Sequence, residues 1–205
     1  MVKNLFPDVI QITMSENRFV SGNVIVLYCN FVKLESKEHL PQHIIERIAV
    51  CTRIYERIMK SKPDKSDTII KVAADRDVGY IVKNNLLNNG IDESMIAVEG
   101  SYNNIGHLFS VLMNEIKKRP NPPVIYFVSS YQQKNIFDKA IALYKGYKIQ
   151  FEGAFDKRPI DDIEQDAKRE KLSKKFTNIK EKGKNKMVDM LLNYIFPESK
   201  KRQSS

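Results

Sequence analysis

Five short runs of apolar, largely β-branched residues recur along the chain: Asn23–Cys29 (NVIVLYC), Thr68–Ala73 (TIIKVA), Met95–Val98 (MIAV), Val124–Ser129 (VIYFVS) and Lys148–Phe151 (KIQF). The first and fourth are almost continuously apolar, the pattern of strands covered on both faces of a parallel sheet. Between the runs, apolar residues return at helical spacing. Ile44, Ile48, Cys51, Ile54, Tyr55 and Ile58 form one stripe, and Val78, Ile81, Val82 and Leu86 a second. Ile105, Leu108, Phe109, Leu112 and Ile116 form a third, and Ile136, Phe137, Ala140, Ile141 and Tyr144 a fourth. Aromatic residues on such stripes are read as core rather than as cofactor contacts. Strands and helices in alternation require right-handed crossovers. They predict an α/β fold, a Rossmann-like open parallel sheet of about five strands with helices on both faces.

Punctuation agrees with these boundaries. Gly90 in LLNNGID is expected to end the second helix and Gly146 in LYKGYK the fourth. Pro120, Pro122 and Pro123 separate the third helix from the fourth strand. After Phe155 the pattern weakens. Residues 161–172 read as a charged helix, 177–185 as a Lys/Gly linker, and 186–196 (KMVDMLLNYIF) as a helix that docks on the domain or on a second subunit. The expected organisation is a Rossmann-like domain over 1–155 and a basic helical extension with its tail over 156–205.

Apolar residues make up 42% of the 205-residue chain, enough for a sizeable core. Cys29 and Cys51 sit inside apolar runs without CxxC spacing and read as reduced, buried thiols. Pro7, Asp8, Glu16 and Arg18 interrupt the N-terminus where a secretory leader needs apolar residues. No window approaches the ~20 apolar residues of a membrane helix. A cytoplasmic protein without a membrane span is expected. The net charge of +9 is uneven: nine Lys/Arg stand against two acids between Lys168 and Lys186. Such a segment attracts nucleic acid or an anionic surface. Few aromatics interleave with it, so a merely solvated lysine-rich stretch is the other reading.

In an open parallel sheet, ligands bind outside the carboxyl ends of the strands. That rule selects the loops opening at Asn30, at Ala74–Asp75, at Glu99–Asn104 and at Ser129–Gln132. The first, Asn30–Gln42, is long for a strand-to-helix connection. It leads to His39 and His43 on either side of Pro41, which read as surface histidines rather than a metal pair, and no metal is expected. Asp75 is placed to cap the second helix or to face a ligand. The third loop packs Glu99, Ser101, Asn103 and Asn104 before a helix start, where free amides favour an anionic group. One of Ser101, Asn103 or Asn104 must cap that helix, which leaves the others for a ligand. Ser129, Ser130 and Gln132 either contact the ligand or cap the next helix. There is no GxGxxG, no GxxxxGK[ST] and no GxSxG, and no catalytic group is assigned.

The order of these loops resembles the YdcF/SanA/ElyC-like family, the domain of unknown function 218, over roughly Asn23 to Gly153. Arg47 in HIIERIAV matches a family arginine on the first helix. LLNNGIDESMIAVEGSYNN matches a block in which Glu99, Ser101 and Asn103 are the corresponding polar residues. VIYFVSSYQQKNIFDKAI matches the last block. The chain departs from the pattern at Tyr28-Cys29-Asn30 and Ala73-Ala74, where the family has glycines, and at Gln132 and Asn135, where it has histidine and arginine. The resemblance implies a divergent soluble member of the family, with S-adenosylmethionine as a possible cofactor.

Two functions follow as expectations. In one, a nucleotide-like or phosphorylated small molecule binds at the strand ends. Its contacts are Asn30, Arg47, Asp75, Glu99, Ser101, Asn103, Asn104, Ser129, Ser130 and Gln132. In the other, the fold is a catalytically degenerate scaffold, and the segment 168–186 carries binding to nucleic acid or to a protein partner.

Overall fold

The computed structural model describes residues 22–29, 32, 34, 39–61, 68–100, 102, 104–119 and 121–169. The expected elements within 177–196, the lysine-rich residues 170–186, and Asn30, Ser101 and Asn103 lie outside the described residues.

Five strands, β1 (Asn23–Tyr28), β2 (Thr68–Ala73), β3 (Ile96–Glu99), β4 (Val124–Ser130) and β5 (Ile149–Ala154), form one sheet in the order β3-β2-β1-β4-β5. Every pairing is parallel. Four helices connect them: α1 (Gln42–Ser61), α2 (Arg76–Asn88), α3 (Ile105–Ile116) and α4 (Lys134–Ile141). A further helix runs over 160–169. The alternating apolar runs thus become the Rossmann-like α/β sheet that their spacing predicts.

β1 is the central strand, and all six of its residues are buried. Its side chains alternate between two cores. Ile25 and Leu27 join Ile70, Val72 and Val128 under α1 and α2. Val24, Val26 and Tyr28 join Ile125 and Phe127 under α3 and α4. The second core is aromatic: Phe109 stacks on Phe127 at 4.3 Å between centroids, and Phe137 lies 5.4 Å from Phe127. Each buried apolar side chain contributes about 1.5–3 kcal/mol.

Gly90 ends α2 as its position suggests. It has φ +81, its amide donates to Leu87 O, and Ile91 N reaches Leu86 O at 3.2 Å. This is the paired bonding of a Schellman turn, with Ile91 and Leu86 both buried beside it. Gly146 does not act in this way. α4 stops at Ile141, and turns over 142–147 precede β5. β5 runs on to Ala154, three residues past its apolar signal, because Glu152, Gly153 and Ala154 keep pairing with β4.

Candidate functional site

Because the strands are parallel and in matched register, Tyr28, Ala73, Glu99 and Ser130 all end at one edge of the sheet. The order of strands reverses between β1 and β4, where such a sheet leaves its ligand crevice. Arg47 occupies that point. It rises from the second turn of α1 and is only 3% exposed. Its Nη1 donates to Tyr28 O at the end of β1 (2.8 Å), and its Nη2 donates to Ser130 Oγ at the end of β4 (2.6 Å).

The hydrogen bonding continues past the last strand. Ser130 Oγ donates to Asp156 Oδ2 at 2.8 Å. Asp156 also accepts from the Arg158 guanidinium (2.8 Å from Nη2) and from the Arg158 backbone amide at 3.2 Å. Arg158 Nη1 then donates to Asp166 on the 160–169 helix at 2.7 Å. The chain Arg47–Ser130–Asp156–Arg158–Asp166 therefore fastens that helix to the carboxyl edge of the sheet. Burial alone would raise the Asp156 carboxyl, but the hydrogen bonds from Arg158 and Ser130 outweigh it and hold the group well below the usual carboxylate range. Burial pulls the Arg47 guanidinium down. The Cys29 thiol beside it is pushed up to about 11 by burial, with Arg47 opposing, so it stays protonated at neutral pH.

Beside this network lies a groove of about 710 Å³ between the first turn of α1, Val32 and Leu40, and residues 157–169. Lys157, Arg158 and Arg169 line it together with Glu46, Asp162 and Asp166. His43 also lines it. Although expected on a surface loop, His43 is the second residue of α1 and only 8% exposed. Its Nδ1 has no hydrogen-bond partner among the described residues, nor has Nε of Arg47 one turn further on. Burial first, then Arg47 and Arg158, lower His43 to about 4, so the ring is neutral at physiological pH.

The remaining candidates divide between the faces of the sheet. Gln132 joins the Arg47 network, its Nε2 donating to Asp156 O at 3.3 Å. Ser129, one residue before Ser130 on β4, points to the opposite face and donates to Gln133. Glu99 also lies on that opposite face. It pairs with Lys71 and accepts from the Tyr102 hydroxyl, while Lys71 reaches Glu115 of α3 at 2.8 Å. Burial and the neighbouring Glu99 push the Tyr102 hydroxyl up. Arg47 and Glu99 therefore share an edge of the sheet without facing one another across a pocket. Asn104 caps α3, accepting from His107 N at 2.9 Å. Asp75 holds the N-cap position of α2, but its side chain makes no capping bond.

Asp156, Arg158 and Asp166 escaped the sequence reading. The carboxyl-end rule that selected the first four loops also selects the residues after β5, but the expected domain boundary at 155 stopped one residue short. Among the described residues no group of three or more His, Cys, Asp or Glu side chains is arranged to hold a metal ion. No described helix is long and apolar enough to cross a membrane.

The fold and its rim define a class, an all-parallel Rossmann-like α/β sheet with a polar crevice at the strand ends. Beyond that class, no family model matches the chain, and neither a curated protein nor a solved structure matches it.

Proposed function

We propose that the protein is a small-molecule-binding domain of the YdcF-like kind. Its ligand, nucleotide-like or a phosphorylated metabolite, lies in the groove between the first turn of α1 and residues 157–169. The observation that carries this reading is the position of the groove. It opens beside the β1/β4 reversal, where Arg47 joins the ends of both strands, with Lys157 and Arg169 on its wall. Arg47 itself is buried beneath the groove. It shapes the site through Ser130 and Asp156, while the ligand meets His43, Lys157 and the opening of α1.

A thermal-shift screen of the full chain tests the reading, with nucleotides, sugar phosphates and S-adenosylmethionine at millimolar concentration. At least one of these is expected to raise the melting temperature, and Lys157→Glu is expected to abolish the rise. A folded sample that responds to none of the three classes removes the reading. A salt-dependent gel shift with nucleic acid in that same sample would then favour a scaffold acting through residues 168–186.

A further inference from the structure

We propose that residues 117–119 and 142–148, at the amino edge of the sheet, form a surface that docks on anionic lipid bilayers, with lysines at the headgroups and Leu143 in the acyl boundary. This surface lies at the opposite end of the strands from the groove, so the inference does not depend on what the groove binds.

The parallel sheet brings the two segments together. The first follows α3 on the way to β4, the second leads from α4 into β5, and β4 pairs with β5. Ile125 N donates to Lys148 O at 2.9 Å, and the Tyr144 ring stacks on Phe109 of α3 with centroids 6.0 Å apart. The two segments contain Lys117, Lys118, Arg119, Lys145 and Lys148 and no acidic residue, a local charge of +5 where the whole chain carries +9. The four lysines are exposed, and none pairs with a carboxylate among the described residues. The acids that precede the segments are taken: Glu115 serves Lys71, and Asp138 serves Lys134. A cation at a helix end offsets the dipole, which accounts for Lys117 directly after α3. Lys145 and Lys148 lie beyond the last turn of α4 and have no such role.

The second observation is apolar. Leu143 is 80% exposed, the most of any large apolar side chain among the described residues. It stands in the turn after α4, its amide bonded to Ala140 O at 3.2 Å, with Lys145 two residues on. A leucine held in water beside lysines suits an interface where acyl chains take the apolar group and headgroups take the charges. The half-buried Tyr144 and Tyr147 fit the headgroup level. Nucleic acid would use the same lysines but gains nothing from Leu143, and Tyr144 is already stacked on Phe109 rather than free for a base.

The test is co-sedimentation of the full chain with phosphatidylcholine vesicles, with and without phosphatidylserine. Binding is expected only with phosphatidylserine, and it falls as salt rises. Each lysine near such a surface contributes about fivefold to partitioning, so Lys145→Ala together with Lys148→Ala lowers it about twenty- to thirtyfold. Leu143→Ser lowers it about tenfold and leaves the salt dependence unchanged. All three side chains are exposed, so both variants are expected to melt with the parent. Three results overturn the proposal. One is folded protein that does not partition onto phosphatidylserine vesicles. Another is full binding by either variant, which assigns the attraction to residues 168–186. The third is an RNA or DNA oligonucleotide held through Lys145 and Lys148 more tightly than the vesicles and indifferently to Leu143→Ser, which makes this a nucleic-acid surface.

Discussion

Replacing Asp156 by alanine isolates the contribution of the network at the sheet edge. The carboxylate is 1% exposed and serves two cations of unlike surroundings. Arg158, at 24% exposure, keeps Asp166 and can rehydrate, so its loss is modest, about 1 kcal/mol. Arg47 cannot rehydrate. Its nearest carboxylate is reached through Ser130, and removing the partner of a buried charge costs about 3–5 kcal/mol when the contact is direct. Halving that for the intervening hydroxyl and adding the Arg158 share gives a destabilisation of about 3 kcal/mol. Urea unfolding followed by circular dichroism reads this as a midpoint lowered by about 1.5 M, for a slope near 2 kcal/mol per molar. In an Arg47→Met background the same substitution is expected to cost about 1 kcal/mol, the Arg158 share alone, because the buried charge is gone. A cost below about 1 kcal/mol, or an equal cost in both backgrounds, refutes the argument that Asp156 neutralises Arg47. The acid limb supplies a second reading. Asp156 titrates below its ordinary 3.8 in the folded protein, so the unfolded chain takes up this proton first as pH falls. Its stabilisation is present above about pH 4 and is lost below it, and Asp156→Ala flattens that limb.

Three further outcomes follow from the geometry. His43 is lowered from 6.5 to about 4, chiefly by burial, so its contribution to stability is fully present above pH 6.5 and is lost as pH falls from there towards 4; in His43→Leu, the fall in urea midpoint across that window should become shallower. A Cβ at Gly79 would stand 2.5 Å from Val98 Cγ1, so Gly79→Ala is expected to lower stability by about 1–2 kcal/mol despite the better helix former, and adding Val98→Ala should recover most of it in the same assay. Lys71→Met leaves Glu99 and Glu115 together without their shared cation, a cost of about 2 kcal/mol that a further Glu99→Gln should partly restore in thermal melts.

Much of the architecture was legible because burial writes itself into residue type. β1 and β4 are apolar on both faces, which only a covered parallel strand requires, and the stripes of α1 to α3 mark the faces that pack. The edges were less legible. β5 carries Gln150 and Glu152 and pairs on one side only, so its last three residues lack an apolar signature. The site was legible as a rim and illegible as a pocket. Strand periodicity assigns Ser129 and Ser130 to opposite faces, and it separates Glu99 from the α1 side in the same way; treating the four loops as one cluster ignored that alternation. Asn104 followed capping chemistry directly. The burial of His43 was hidden because Pro41 resembles a loop residue, whereas α1 begins directly after it, with Ile44 N and Ile45 N bonded to Pro41 O.

The central place of β1 bears on how the chain is made. Val24 sits between Ile69 on one side and Ile125 on the other, so β1, which precedes the other described strands in the chain, is flanked by one partner supplied early and another supplied late. During that interval one whole border of β1 has unpaired backbone groups, and side chains destined for complete burial lack half their cover. A ribbon of this kind invites pairing with a neighbouring nascent chain. Slow synthesis between residues 73 and 124 lengthens the exposure, and holdase chaperones that shield extended apolar segments shorten its effect.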